Sequence, residues 1–311
     1  MRYSSILDLI GDTPLVGIHQ LSPNANVQVY AKLEGQNPGG SSKDRIALKM
    51  VELAERDGLL RPGDIILEPS SGNTGIGLAL VAKLRGYRLS VVMPENTSIE
   101  RRQLLEIFGA EVVLSPGEEG SNGAIRLAEK LAADDPSLVM LFQYGNPANP
   151  LAHYEHTGPE IWRDCPEVDV FVAGLGTSGT LMGVGRFLKE QNPSIRVAAV
   201  EPPSGELVQG LRSLDDGFVP PIFDPALLDR KFIVRPRESI EWLRRLLEEC
   251  GVFAGISSGA AIAGAAKMAA EMDAGTVVTL LPDGGWKYLS SGAWTDPIDV
   301  VEERARTINY W

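Results

Sequence analysis

Two apolar patterns alternate along most of the chain. Short runs of consecutive apolar, often β-branched residues read as strands. Longer stretches with an apolar residue every third or fourth position read as amphipathic helices. Strands are predicted at 27–33, 65–69, 89–93, 111–114 and 138–143. Between them helices are predicted at 46–57, at 76–85 before Gly86, up to Phe108 before Gly109, and at about 122–132. Thr97 and Glu100 have the spacing of a capping box that opens the third of these helices. A second series runs strand 168–173, helix 180–190, strand 196–200, helices 240–249 and 260–272, strand 276–281. Apolar runs separated by helices mean parallel sheets covered on both faces. The expected fold class is therefore α/β, with two domains, each a mainly parallel twisted sheet flanked by helices. Gly145-Asn146-Pro147-Ala148-Asn149-Pro150 lies between the two series and is turn-rich enough to be their hinge. Prolines at 202, 203, 220, 221, 225 and 236 leave 202–237 as a long irregular segment, of the kind that carries function. The last residues, Thr307-Ile308-Asn309-Tyr310-Trp311, are apolar enough to dock on the protein.

Composition narrows what such a fold can serve. At 311 residues the chain suits two domains, each with its own core. A formal net charge of −12 argues against nucleic acid and anionic membranes as partners. Cys165 and Cys250 are too few and too far apart for a disulfide framework or a metal motif. His19, His153 and His156 lack zinc spacing, so no metal is expected. No signal-peptide core opens the chain and no apolar run has membrane-spanning length, so a cytoplasmic location is expected.

The candidate chemistry sits where strands end. Asn37-Pro38-Gly39-Gly40-Ser41-Ser42-Lys43-Asp44-Arg45 is a glycine-rich turn entering a helix, with Ser41 or Ser42 as its natural N-cap. An ammonium is disfavoured at the positive end of a helix dipole, so Lys43 there is either a solvated surface lysine or an amine kept neutral for attack on a carbonyl. Gly174-Leu175-Gly176-Thr177-Ser178-Gly179 stands between a strand and a helix. With Glu201 at the end of the next strand it reads as a dinucleotide fingerprint. The hydroxyls of Thr177, Ser178 and Thr180 fit a phosphate monoester better, because such a group needs donors for three oxygens. Glu68-Pro69-Ser70-Ser71-Gly72-Asn73-Thr74-Gly75 is a second strand-to-helix turn, either a carboxylate nest or an ordinary capped turn. Gly255-Ile256-Ser257-Ser258-Gly259-Ala260 opens a small-residue helix and by itself reads as an N-cap. Asp283-Gly284-Gly285-Trp286 reads as structural, and no lysine other than Lys43 is expected beside these loops.

Taken together these parts are what a pyridoxal phosphate enzyme needs. The sequence resembles the cysteine synthase family (O-acetylserine or O-phosphoserine sulfhydrylases) of fold-type II pyridoxal phosphate enzymes. The resemblance runs from Gly11-Asp12-Thr13-Pro14-Leu15 to Trp286-Lys287-Tyr288-Leu289-Ser290, and is densest at 37–45, 68–75, 143–149, 153–162 and 174–180. It implies a smaller domain over 1–145, with part of 1–38 crossing to a larger, phosphate-binding domain over 146–311. Lys43 matches the lysine that holds the cofactor as an internal aldimine and moves the α-proton. Asn73 matches the residue on the ring hydroxyl oxygen, and Gly176, Thr177, Ser178, Gly179 and Thr180 match the phosphate cup. Ser257 matches the serine on the pyridine nitrogen, where a neutral hydroxyl in place of a carboxylate favours prompt β-elimination. Ser70, Ser71, Gly72, Thr74 and Gln143 match the substrate-carboxylate site. The implied chemistry is β-replacement through an α-aminoacrylate, with sulfide, thiosulfate or a thiocarboxylated carrier protein as sulfur donor, in a homodimer. Gly39-Gly40-Ser41-Ser42 departs from the family's usual run before the lysine, which leaves that loop's geometry open.

Within the family, Gln209 to Pro220, Pro94 to Arg102 and Trp286 to Ser290 resemble the branch that uses O-phosphoserine. There an arginine at the position of Arg212 contacts the substrate phosphate. The alternative is an exposed Arg212 paired with Asp215 or Asp216. An O-acetylserine-preferring synthase and a cystathionine β-synthase stay open as alternatives, and a nicotinamide-dependent dehydrogenase outside the class.

Overall fold

The computed structural model describes residues 2–70 and 72–305. Its strands form two sheets. The larger joins β1 (Leu15–Gly17), β2 (Val27–Leu33), β7 (Val170–Gly174), β8 (Arg196–Glu201), β9 (Arg230–Ile233) and β10 (Gly275–Leu281) in the order β1-β2-β10-β7-β8-β9. Only β1 runs antiparallel, against β2. The smaller is parallel throughout, in the order β5-β4-β3-β6, from β3 (Ile65–Pro69), β4 (Arg88–Pro94), β5 (Glu111–Ser115) and β6 (Leu138–Met140). The α/β class read from the periodicity is the fold observed.

Alternation along the strands feeds two cores in the larger sheet. Val170, Val172, Ala198 and Val200 pack on one face with Ala260, Ile262 and Ala263 of α9 (Ile256–Ala270). Phe171, Ala173, Val197 and Ala199 pack on the other with Leu181, Val184 and Leu188 of α7 (Gly179–Gln191). The smaller sheet is covered by α1 (Lys43–Arg56) and α2 (Asn73–Arg85) through Ile46, Met50, Ile76 and Val81. On its other face Ala124 and Ala128 of α4 (Gly120–Asp134) meet Leu67 and Val92.

Several boundaries differ from the sequence reading. α3 (Ile99–Phe108) is not opened by a Thr97–Glu100 capping box. The Thr97 hydroxyl donates to Pro94 O, and the Glu100 carboxylate accepts from the Ser290 N–H of a distant loop. The expected hinge leads at once into α5 (Ala148–Ala152), a π-helical turn at His153–Thr157 and α6 (Gly158–Asp164). These are too short and polar for periodicity to reveal. The segment 202–237 is less irregular than its prolines imply: it contains the edge strand β9, and α8 (Pro236–Cys250) takes Pro236 in its first turn. α10 (Ile298–Ala305) closes the described chain, and the apolar residues 307–311 lie outside the described residues. Among the described residues no helix is long and apolar enough to cross a membrane.

A buried ionic cluster ties the start of α1 to the larger sheet. Arg45 pairs with Glu34 at 2.7 Å and with Glu160 of α6 at 2.6 Å, and Lys32 of β2 pairs with Glu160 at 2.7 Å. The Thr13 hydroxyl donates to Glu34 at 2.6 Å. Burial works against the Glu160 carboxylate, yet Arg45 and Lys32 hold it down at about 2.

Candidate active site

The strand-to-helix turns singled out in the sequence meet in one cleft between the two sheets. Lys43 is the first residue of α1. The turn before it is strapped to the end of β10, since Ser42 N–H donates to Pro282 O at 2.8 Å and Ser41 bridges to Asp283. Ser41, not Ser42, supplies the cap: its hydroxyl accepts the Lys43 N–H at 3.2 Å. Gly40 has φ +80°, and a Cβ there would stand 2.6 Å from the Trp286 ring. Burial lowers the pKa of the Lys43 ammonium, against the pull of the Asp283 and Glu34 carboxylates. That favours the neutral amine.

Two adjoining cavities open from Lys43. One is lined by Gly176, Thr177, Ser178, Thr180, Gly210 and Ser257. The other is lined by Ser70, Gly72, Asn73, Thr74, Gln143 and Arg212, together with Arg101, Tyr144 and Tyr288. Gly179 lies behind the first cavity, where the Asn149 carboxamide occupies the space a Cβ would need. Ser71 lies outside the described residues.

The first cavity has the donor set of an anion cup. Ser178 is the N-cap residue of α7, in the left-handed region at φ +68°, and its hydroxyl donates to Thr177 O at 2.5 Å, so the cup stands at a helix N-terminus where backbone amides gather. The Thr177 hydroxyl accepts from Asn149 Nδ2 at 3.0 Å, and the Thr180 hydroxyl lies 3.2 Å from His153 Nε2. Ser257 opens α9 on the opposite wall, and Gly210, at φ +90°, passes its hydroxyl closely. In the second cavity the Ser70 hydroxyl accepts the Gly75 N–H at 3.1 Å and so caps α2. Thr74 donates to Gln143 Oε1 at 2.6 Å. The Gln143 and Phe142 N–H groups both donate to Glu68, whose carboxyl burial pushes up to about 8 against those two bonds.

Two readings of the sequence need correction. Glu201 does not face the glycine loop as a ribose acid: it accepts the Leu214 N–H and pairs with Lys231 at 2.6 Å. Asp283-Gly284-Gly285-Trp286 is part of the site, and a second lysine stands beside it. Asn73 Nδ2 donates to Asp283 at 2.8 Å, and Tyr288 OH donates to the same carboxylate at 2.6 Å. Lys287, with no exposed surface, donates to Gly39 O, Gly40 O and, at 2.6 Å, Asn73 Oδ1. Burial pushes its pKa down to about 8 against the Asp283 and Asp44 carboxylates. No periodicity marks Lys287, because it lies on an irregular turn. Arg212 is 9% exposed, and none of the described carboxylates pairs with it. Asp216 instead accepts from Ser204 and the Gly205 N–H. The Arg212 guanidinium lies over the Tyr144 and Phe218 rings, at 5.4 and 4.7 Å.

The comparisons with known proteins agree with this geometry. Residues 6–283 match the family described as pyridoxal-phosphate dependent enzyme. Cysteine synthase B of Pseudomonas aeruginosa is 42% identical over 96% of this chain and 99% of its own. A solved cysteine synthase from Entamoeba histolytica superposes with a TM-score of 0.90 at 35% identity, covering 98% of this chain and 96% of that one. A solved O-ureido-L-serine synthase superposes with a TM-score of 0.89 at 42% identity, covering 94% and 96%.

Proposed function

The chain belongs to the pyridoxal-phosphate dependent enzymes, and we propose that it is a cysteine synthase that replaces the β-substituent of O-phosphoserine, in preference to O-acetylserine, with sulfur. The cofactor fits the residues present. A cavity lined by Gly176, Thr177, Ser178 and Thr180 at a helix N-terminus adjoins a lysine held toward its neutral form, with Ser257 on the far wall. Gly176, Thr177, Ser178, Gly179 and Thr180 would hold its phosphate, Asn73 its ring hydroxyl oxygen, Ser257 its ring nitrogen and Lys43 its carbonyl carbon. When bound, pyridoxal phosphate supplies the electron sink that makes an α-proton acidic and a β-substituent able to leave.

The chain's own residues do the rest. The Lys43 amine would accept the α-proton at Nζ, and burial supports that role by lowering the pKa of the ammonium and so favouring the neutral amine. The turn around Ser70, Gly72 and Thr74, with Gln143, binds the substrate carboxylate through helix N-terminal amides and hydroxyls. We assign these residues, and with them 1–145 and 146–311 as the two domains, 1–38 in part crossing over. The placement of β2 in the larger sheet supports that crossing. Binding a carboxylate at one wall and a phosphate at the other would draw the walls together and exclude water.

The preference for O-phosphoserine rests on Arg212. The buried Arg212 guanidinium is held against the Tyr144 hydroxyl and the Tyr144 and Phe218 rings without a carboxylate, so an anion in the cavity would complete its pairing. It lines the same cavity as Lys43 and the carboxylate turn, where a phosphate leaving group would suit its fork and a neutral acetyl ester would not. The test is the kcat/KM of the purified enzyme for each ester with sulfide as common nucleophile. Faster cysteine formation from O-phosphoserine supports the assignment. Equal or faster use of O-acetylserine overturns the preference, and failure to form cysteine from either overturns the function.

A further inference from the structure

Behind the cup lies a residue that touches neither cavity. His153 has no exposed surface and sits on the π-helical turn His153–Thr157. Its Nδ1 lies 3.0 Å from the Thr157 hydroxyl and its Nε2 lies 3.2 Å from the Thr180 hydroxyl. The turn is wound one residue wider than an α-helix, with Gly158 N–H reaching back to His153 O. α7 packs tightly on it, since a Cβ at Gly183 would stand 2.7 Å from His153 Cβ.

The neighbouring hydroxyl shows what such a backing group does. Asn149 Nδ2 donates to Gln143 O at 2.9 Å, and a carbonyl can only accept, so this carboxamide has one orientation. The same nitrogen donates to Thr177 at 3.0 Å. That bond occupies a lone pair of the Thr177 oxygen and leaves its proton to point into the cup. Thr180 needs the same service. With Nε2 protonated and Nδ1 accepting from Thr157, the Thr180 proton is left for the cup. In the other tautomer Thr180 donates backwards into the ring, and its lone pairs face the phosphate. An anion site needs the first arrangement. Burial holds the imidazole neutral, with its pKa near 3, and Lys43 and Arg45 add to that direction against Glu34 and Glu160.

We propose that His153 is a positioning residue of the phosphate cup, which fixes the Thr180 hydroxyl as a donor through a Thr157–His153–Thr180 hydrogen-bond relay. The proposal rests on the reading of 176–180 as a phosphate site.

The test compares binding of pyridoxal phosphate and of pyridoxal, which lacks the phosphate, to apo-protein by fluorescence titration. Wild type should bind the phosphorylated form far more tightly; if it does not, the cup reading fails and not only the relay. His153→Leu should weaken pyridoxal phosphate about tenfold or more, the range of a hydrogen bond to a charged group, and leave pyridoxal within about twofold. His153→Gln, which keeps a donor near the Nε2 position, should recover most of the loss. In a Thr180→Val background the His153→Leu change should add nothing. Equal weakening of both ligands, no weakening of either, or full additivity with Thr180→Val would overturn the relay. If His153→Leu does not fold, the Thr180→Val and His153→Gln variants alone and combined decide the same question.

Discussion

Replacing Arg212 by alanine should separate the two candidate substrates. The side chain is 9% exposed and has no carboxylate partner, while its backbone N–H is held by Leu175 O at 2.8 Å. Truncation therefore removes the guanidinium without releasing the loop. A hydrogen bond to a charged group contributes about 1.5–3 kcal/mol, so kcat/KM for O-phosphoserine should fall by roughly 10- to 150-fold. Loss of stacking on Tyr144 and Phe218 affects either substrate alike and sets a common background, on the order of 2 kcal/mol for a desolvated cation. O-Acetylserine should show only that background. Arg212→Lys keeps the charge but loses the fork and should fall between wild type and alanine on O-phosphoserine. The assay is steady-state cysteine formation at fixed sulfide. Equal losses on both substrates would refute the reasoning and leave Arg212 as a residue that shapes the loop.

Three further outcomes follow from buried charge. Glu160→Gln leaves Lys32 and Arg45 short of a carboxylate in a buried cluster and should cost about 3 kcal/mol in urea unfolding; a change under about 1 kcal/mol would contradict the account. Lys287→Met strands Gly39 O and Asn73 Oδ1 and leaves Gly40 O with the Gly284 N–H alone, at roughly 1–3 kcal/mol per unsatisfied group, and should weaken cofactor binding by apo-protein as well as lower its melting temperature. His153 has a folded pKa near 3, below the usual value near 6.5. On acidification between those values the unfolded chain gains a proton that the folded chain refuses. The stability held above about pH 6.5 should therefore fall by up to roughly 1.4 kcal/mol per pH unit toward pH 3. His153→Gln should flatten that part of the profile, and an unchanged slope would show that other groups set it.

Much of the fold was legible because its strands are buried on both faces and its helices keep one apolar stripe. β7 and β10 could hardly be read otherwise. The Lys43 turn, the 174–180 loop and the 68–75 turn were visible because each joins a strand end to a helix start, where backbone amides gather. What escaped has no period. Lys287 and Asp283 act from an irregular turn after β10, and their part in the site arises from contacts with Asn73, which is far away in sequence. His153 and Asn149 lie on a short, polar helical stretch whose purpose shows only when α7 packs on it. The Thr97–Glu100 spacing misled for the reverse reason: a locally sound cap gave way to a tertiary bond from Ser290.

The central claim is that Lys43 carries the cofactor, and the presence of a second buried lysine makes it directly testable. Borohydride reduction of the holoenzyme, followed by proteolysis and mass spectrometry, locates the lysine to which pyridoxal phosphate is attached. Lys287 has its ammonium committed to three acceptors and cannot substitute. The account predicts the added mass on the peptide that contains Lys43, and no labelled peptide in a Lys43→Ala variant. Label on Lys287, or undiminished label in Lys43→Ala, would contradict it.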